Sequence, residues 1–224
     1  MAIARETGGR ETLATTFVLD GDVHVNESPA ELAEYAEAPW DIALREIASS
    51  AREGDATLPG MSPKADYRVP WPGGQNRSQL VRSAAAMRRE LDELHVDIAV
   101  LFPDYLLTLP MVRDPRFALA LATAYNAWLC ERWLSSEPSL RGALVACPQR
   151  PQESAEDIRR HAGAPGVCCI YLPASGLRPL YGDAQYEPLW KAATETGLPV
   201  AIHSVEAVFP AFPFQLDCFE TSLA

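Results

Sequence analysis

The chain has 224 residues, 48% hydrophobic and 22% charged, a balance that fits a folded globular protein and excludes a disordered one. With 30 acidic against 19 basic residues the net charge is −11, which argues against non-specific binding to nucleic acid or to an anionic membrane, since both need cationic patches. No apolar run reaches the ~18 residues of a membrane span, and the five cysteines, without a Cys-x-x-Cys pair, suit buried thiols in a reducing cytoplasm.

Residues 1–16 read as a polar leader without the apolar core of a secretory signal. The next stretch, FVLDGDVHV from Phe17 to Val25, opens as a buried strand through Phe17, Val18 and Leu19 and then turns polar. Strand alternation puts Asp22 and His24 on one face, with Asp20 joining them if the strand runs unbroken through Gly21. A carboxylate and an imidazole at the end of a buried strand cost desolvation energy unless something binds them. Either a divalent metal takes both as ligands, or the two pair with each other and cap the strand. Ser28-Pro29-Ala30-Glu31 spells a capping box with proline at the first helical position. Glu27, just before it, serves either the helix-end electrostatics or the mouth of a site.

Residues 54–77 are rich in glycine and proline and predict a long loop or lid. Leu80, Ala84, Met87, Leu91 and Leu94 then recur at helical spacing over Ser78 to Leu94. A second strand, Val96 to Phe102, ends at Pro103-Asp104. Asp114-Pro115 starts a helix that reaches about Leu134, with Phe117, Leu121, Tyr125, Trp128 and Trp133 on a core-facing stripe. Leu140 to Cys147 is a third strand. Pro151 to His161 is a helix closed by Gly163, and His161 in its last turn reads as a surface residue favoured by the helix dipole. Gly166 to Leu172 is a fourth strand. Asp183 caps a helix from about Ala184 to Thr196 that stops at Gly197, and Leu198 to Ile202 is a fifth strand ending in His203-Ser204. Another helix starts near Phe214.

Strand and helix thus alternate about five times, and apolar strands with such spacing predict a parallel α/β sheet covered by helices. Polar and titratable residues gather just after the strands: Asp22 and His24, Asp104, Arg178, His203 and Glu206. Sites of parallel α/β folds lie at those carboxyl ends. His203 reads there as a metal ligand or as a satisfied core histidine. Arg178 reads as a partner for a substrate carboxylate or as half of a surface salt bridge.

Three segments carry a family resemblance: DGDVHVNE at Asp20–Glu27, VDIAVLFP at Val96–Pro103, and YGDAQYEPLWKAATETGLPVAIHS at Tyr181–Ser204. Together they resemble the amidohydrolase-related family that includes aminocarboxymuconate-semialdehyde decarboxylase and the resorcylate-type and carboxyvanillate-type decarboxylases. The likeness runs over nearly all of the chain after residue 16. It implies a (β/α)8 TIM barrel of the metal-dependent hydrolase superfamily, with residues 17–224 supplying its N-terminal part, about five β/α units. It also implies one divalent metal, zinc or manganese, held by Asp22, His24 and His203. The activity implied is that of a carboxy-lyase (decarboxylase) or a hydrolase acting on a small carboxylated, aromatic compound. Asp104, Arg178 and Glu206 are assigned to the substrate pocket by position.

The family's barrel has eight units, and its later proton-transfer histidine and metal-binding aspartate would fall beyond Ala224. A C-terminally truncated barrel is therefore expected, standing as it is or completed by another chain or a second copy. The rival reading is a catalytically inactive partial barrel acting as a partner subunit or fragment. A third, an α/β protein whose Asp-x-His is structural, would be supported by Asp22 and His203 lying beyond about 10 Å, farther than one ion can bridge.

Overall fold

The computed structural model describes residues 16–50, 81–173 and 179–203. The leader, the loop at 54–77, Arg178, Glu206, Cys218 and the helix expected near Phe214 lie outside the described residues.

Among the described residues five strands, β1 (Leu19–Val25), β2 (Ile98–Pro103), β3 (Leu140–Val145), β4 (Val167–Pro173) and β5 (Val200–His203), form one sheet in that order, every pair parallel. Each strand is added beside the one before it, always at the same edge. That is the winding of a (β/α) barrel; a doubly wound sheet reverses direction partway. The partial barrel expected from the sequence is therefore present, with five strands among the described residues.

The crossovers are helical. Helices α1 (Pro29–Leu32), α2 (Trp40–Ser50) and α3 (Ala84–Glu93) precede β2. A 3-10 turn (Tyr105–Met111) and α4 (Pro115–Trp128), continued by a π-helical turn (Leu129–Leu134), precede β3. Helix α5 (Pro151–His161) leads to β4, and a 3-10 turn (Ala184–Tyr186) followed by α6 (Glu187–Thr196) leads to β5. Among the described residues no helix is long and apolar enough to cross a membrane.

Local chemistry explains most of these boundaries. Ser28 Oγ accepts the Glu31 N–H at 3.2 Å while Glu31 Oε2 accepts the Ser28 N–H at 3.4 Å, which completes the capping box of α1. Asp114 caps α4 by accepting the Arg116 N–H at 2.9 Å, and Asp183 accepts the Gln185 N–H at 3.0 Å. Helix α6 stops at Gly197, whose φ of 70° only glycine adopts without strain.

Helix α3 ends differently from the pattern read in its sequence. His95 takes a φ of 57°. The Val96 N–H then reaches Leu91 O at 2.8 Å and the His95 N–H reaches Asp92 O at 3.2 Å, a Schellman closure. Leu94 is thereby turned outward, 58% exposed, rather than joining Ala84, Met87 and Leu91 in the core. Gly163 is not the left-handed stop of α5 either: Ala162 caps that helix in the right-handed conformation, and the positive φ, 80°, falls at Gly166, where the chain enters β4.

The apolar stripe of α4 and its π-helical turn is buried through Phe117, Leu121, Ala124, Tyr125, Trp128, Leu129 and Trp133, as its spacing predicts. β1 and the residues just before it are less buried than their composition suggests, with Phe17 and Leu19 exposed. Among the described residues β1 pairs with β2 alone, so it is an edge strand and its first residues have neighbours on one side only. His161 is not a plain surface residue. Its side chain is only 16% exposed and its Nδ1 lies 3.3 Å from Asp157 Oδ1.

Candidate metal centre

β1 does not run regularly to its end. Asp20 opposes Ala99 and Val23 opposes Leu101, so one extra residue is inserted in β1 between them. This bulge separates Asp20 from the polar pair after it. Asp20 Oδ1 accepts the Asp22 N–H at 3.1 Å instead of sharing the face of Asp22 and His24.

Beyond the bulge, Asp22 and His24 meet His203 from the last residue of β5. Asp22 Oδ1 lies 3.3 Å from His24 Nε2 and 3.0 Å from His203 Nε2, and one donor atom from each of the three residues lies within 4.8 Å of the others. β1 and β5 are the two outermost strands of the described sheet, and four interstrand spacings would hold them about 19 Å apart in a flat sheet. The contact therefore requires the sheet to curl toward closure at its carboxyl end. The separation beyond about 10 Å that would have supported a purely structural Asp-x-His is not what the structure shows.

The donors are prepared for such an ion. His24 Nδ1 lies 2.8 Å from Pro103 O, and a carbonyl can only accept, so Nδ1 carries the proton and the Nε2 lone pair faces the cluster. The His24 and His203 rings meet edge to face with centroids 5.1 Å apart. Two imidazole nitrogens and a carboxylate oxygen suit zinc or manganese, and three protein ligands leave coordination positions for water or substrate. The side chains of His24 and His203 are 28% and 18% exposed and that of Asp22 62%, so the cluster opens outward on the Asp22 side.

The ends of β2 and β4 supply walls. Phe102 stands 5.6 Å from the His203 ring and Tyr171 6.2 Å, both buried. Neither stood out in the sequence, where they read as ordinary core residues; their place beside a strand's carboxyl end is the only signal. Asp104 directly follows Pro103, the residue that anchors His24, but its carboxylate is not one of the three clustered donors.

Glu27 takes neither of the roles read for it. It is 1% exposed, and its carboxylate accepts the N–H groups of Asp104 at 3.1 Å and Leu106 at 2.8 Å. It thus braces the loop after β1 against the loop after β2. Burial pushes its carboxyl up to about 8, and the Asp104 carboxylate adds to the rise while backbone N–H donors oppose it.

The sequence matches the family model described as Amidohydrolase over residues 22–221. No curated protein sequence matches the chain. Among solved structures the chain is similar to 5-carboxyvanillate decarboxylase from Novosphingobium aromaticivorans, determined with bound manganese and 3-methoxy-4-hydroxy-5-nitrobenzoic acid. The TM-score is 0.60 and the identity 18%, over 94% of this chain and 56% of that one. It is also similar to 2,6-dihydroxybenzoate decarboxylase from Rhizobium, with TM-score 0.56, 15% identity, and 91% and 54% of the two chains covered. An amidohydrolase from Mycobacterium avium subsp. paratuberculosis gives TM-score 0.55 and 18% identity over 84% and 59%. At such identities the likeness is one of fold. The chain spans a little over half the length of these structures.

Proposed function

The chain belongs to the amidohydrolase family, and on that premise we propose that it is a metal-dependent carboxy-lyase or hydrolase acting on a small carboxylated aromatic compound in the cytoplasm. The observation that carries this reading is the convergence of Asp22, His24 and His203 from opposite edges of the sheet, with one donor atom of each within 4.8 Å of the others. Asp22 Oδ and the Nε2 atoms of both histidines would hold one zinc or manganese ion. Bound there, such an ion supplies Lewis-acid chemistry, polarising a substrate carboxylate or hydroxyl, or lowering the pKa of a water.

The chain's own residues do the rest. Pro103 O keeps the His24 proton on Nδ1, so that Nε2 stays available for binding. Phe102 and Tyr171, both buried, pack against the His203 ring and fix its orientation. Asp104, at the end of β2, and Arg178 and Glu206, which follow β4 and β5 in sequence, are proposed to contact the substrate, Arg178 through its carboxylate. The substrate class is supported by the structural neighbours, one of them complexed with 2,6-dihydroxybenzoate and one with a nitrobenzoic acid.

A second reading, a partial barrel that is inactive until a partner chain covers it, is favoured by the outer edges of β1 and β5. These pair with no strand among the described residues, and Leu19 and Ile202 stand exposed there.

One experiment separates the two. The purified protein is loaded with manganese or zinc, its metal content measured, and a panel of hydroxylated benzoates assayed for carbon dioxide release. Metal binding lost in His203→Ala, with metal-dependent release from one of the acids, supports the enzyme. Metal binding without turnover until a second chain is added supports the partner reading. A wild-type chain that binds no metal overturns the metal-dependent reading.

A further inference from the structure

At the amino ends of β3 and β4, the end of the sheet away from Asp22, His24 and His203, lies a cavity of about 400 Å3. Cys168 and Arg141 both line it, with Ser135, Pro138 and Gly166 around them. In a regular strand Cys168 and Cys169 would point to opposite faces. Here Gly142 opposes Val167 and Ala143 opposes Cys169, which leaves Cys168 as the unpaired residue of a bulge. A bulge re-aims a side chain, and this one brings the two sulfurs within 3.9 Å of each other.

The surroundings single out Cys168 among the described thiols. Neutral, it donates weakly to Gly142 O at 3.7 Å; ionised, it accepts from the Cys169 S–H. The Cys169 thiol, with help from the Arg141 guanidinium, holds Cys168 below the ordinary thiol range. Burial pushes Cys130 up to about 11 and Cys147 up to about 12. Cys169 is driven upward too, first by its contact with Cys168 and then by burial. Arg141 is held at the cavity by Nη1, which donates to Pro138 O at 2.7 Å and Leu140 O at 2.9 Å. Among the described residues no carboxylate pairs with it.

We propose that Cys168 is a thiol–disulfide exchange site whose cavity receives a small disulfide carrying carboxylate groups, one of which pairs with Arg141. The Cys168 thiolate attacks one sulfur of the small disulfide. A new S–S bond forms at Cys168, the reagent's own S–S bond breaks, and its other half leaves as a thiolate that takes up the proton Cys168 gave up. The disulfide is the oxidant, and no further reactant is needed. A cavity of this size falls within the range of small-molecule sites, and a partly exposed thiol beside a cation is the setting in which cysteines react.

The test uses the full chain at pH 7 and two probes, the dianionic 5,5′-dithiobis(2-nitrobenzoic acid) and the neutral 2,2′-dithiodipyridine. One of the five thiols should react in a separate phase, about tenfold or more faster than the rest, and mass mapping of the wild-type adduct should place it on Cys168. In Arg141→Ala the dianionic probe should slow by about tenfold while the neutral probe changes by less than about twofold. Cys169→Ala should slow both. A fast adduct mapped to Cys130, Cys147 or Cys218 overturns the proposal, and mapping the wild type needs no variant to fold. Equal slowing of both probes in Arg141→Ala overturns the role of the carboxylate.

Discussion

His203 Nε2 lies 3.0 Å from Asp22 Oδ1, although 181 residues of chain separate them and they stand on opposite edges of the sheet. Without a cation this is one hydrogen bond; on the proposed metal-dependent reading, both would become ligands of the same ion. His203→Ala should therefore weaken zinc or manganese binding by about a hundredfold or more, since even changes in the groups that orient metal ligands cost 10–100-fold. Titration calorimetry on the two proteins checks this. Equal affinity would show that the ion sits elsewhere.

Glu27 carries its own prediction, because the buried Leu106 N–H depends on it and the Asp104 N–H shares it with Val25 O. Glu27→Ala leaves the buried Leu106 N–H without its acceptor, while the Asp104 N–H keeps Val25 O at 3.1 Å, and should cost about 1–3 kcal/mol in a urea melt. The pH dependence follows from the direction of its shift. Its carboxyl titrates at about 8 in the folded chain against 4.5 as a free group, so the folded state keeps a proton that the unfolded state releases. That contribution to stability declines as pH rises from about 4.5 through 8. Glu27→Gln, uncharged throughout, should flatten that part of the profile; an unchanged profile would mean Glu27 is ionised in the fold.

What the sequence made legible was local. The capping box at Ser28 and Glu31, the caps at Asp114 and Asp183 and the stripe from Phe117 to Trp133 all depend on residues a few positions apart, and all are present. Asp22 and His24 were legible for the same reason, being two apart on one strand. That His203 joins them required the family likeness, since nothing in composition says how far a sheet curls. The brace from Glu27 to the Leu106 N–H, the bulge that displaces Cys168 and the exposure of Phe17 and Leu19 depend on register and on which strand lies at an edge. These are properties of strands paired across long stretches of chain, and periodicity does not encode them.

The left-handed positions test where the chain turns. A Cβ on Gly166, at φ 80°, would lie 3.0 Å from Leu140 O and 3.2 Å from Leu134 Cβ. Gly166→Ala should therefore destabilise by about 1–3 kcal/mol. Gly163→Ala meets nothing within 4 Å at a position without positive φ and should be neutral or stabilising by up to about 1 kcal/mol. His95 holds a conformation that glycine takes freely, so His95→Gly should stabilise by about 1 kcal/mol. Thermal melts of the three variants rank these positions, and a Gly163→Ala more damaging than Gly166→Ala would return the turn to Gly163.

The last prediction concerns a polar knot between α4, β3 and α5. Asn126 Oδ1 accepts the Val145 N–H at 2.7 Å, and its Nδ2 donates to Asp157 Oδ2 at 2.8 Å and to Val145 O at 3.1 Å. Asp157, with a side chain only 5% exposed, faces Arg160 at 2.9 Å and His161 at 3.3 Å through Oδ1. The hydrogen bond to Asp157 raises the His161 imidazole above its ordinary 6.5, against the opposing effects of burial and Arg160. A histidine shifted upward binds its proton more tightly when folded, so its contribution is full below about pH 6.5 and is lost as pH rises through the folded value. His161→Ala should therefore cost about 1 kcal/mol at pH 5.5 and little at pH 9, because Arg160 still pairs with Asp157 there. Urea melts at the two pH values measure the difference. An equal cost at the two pH values would mean that His161 acts through packing and that its charge contributes nothing.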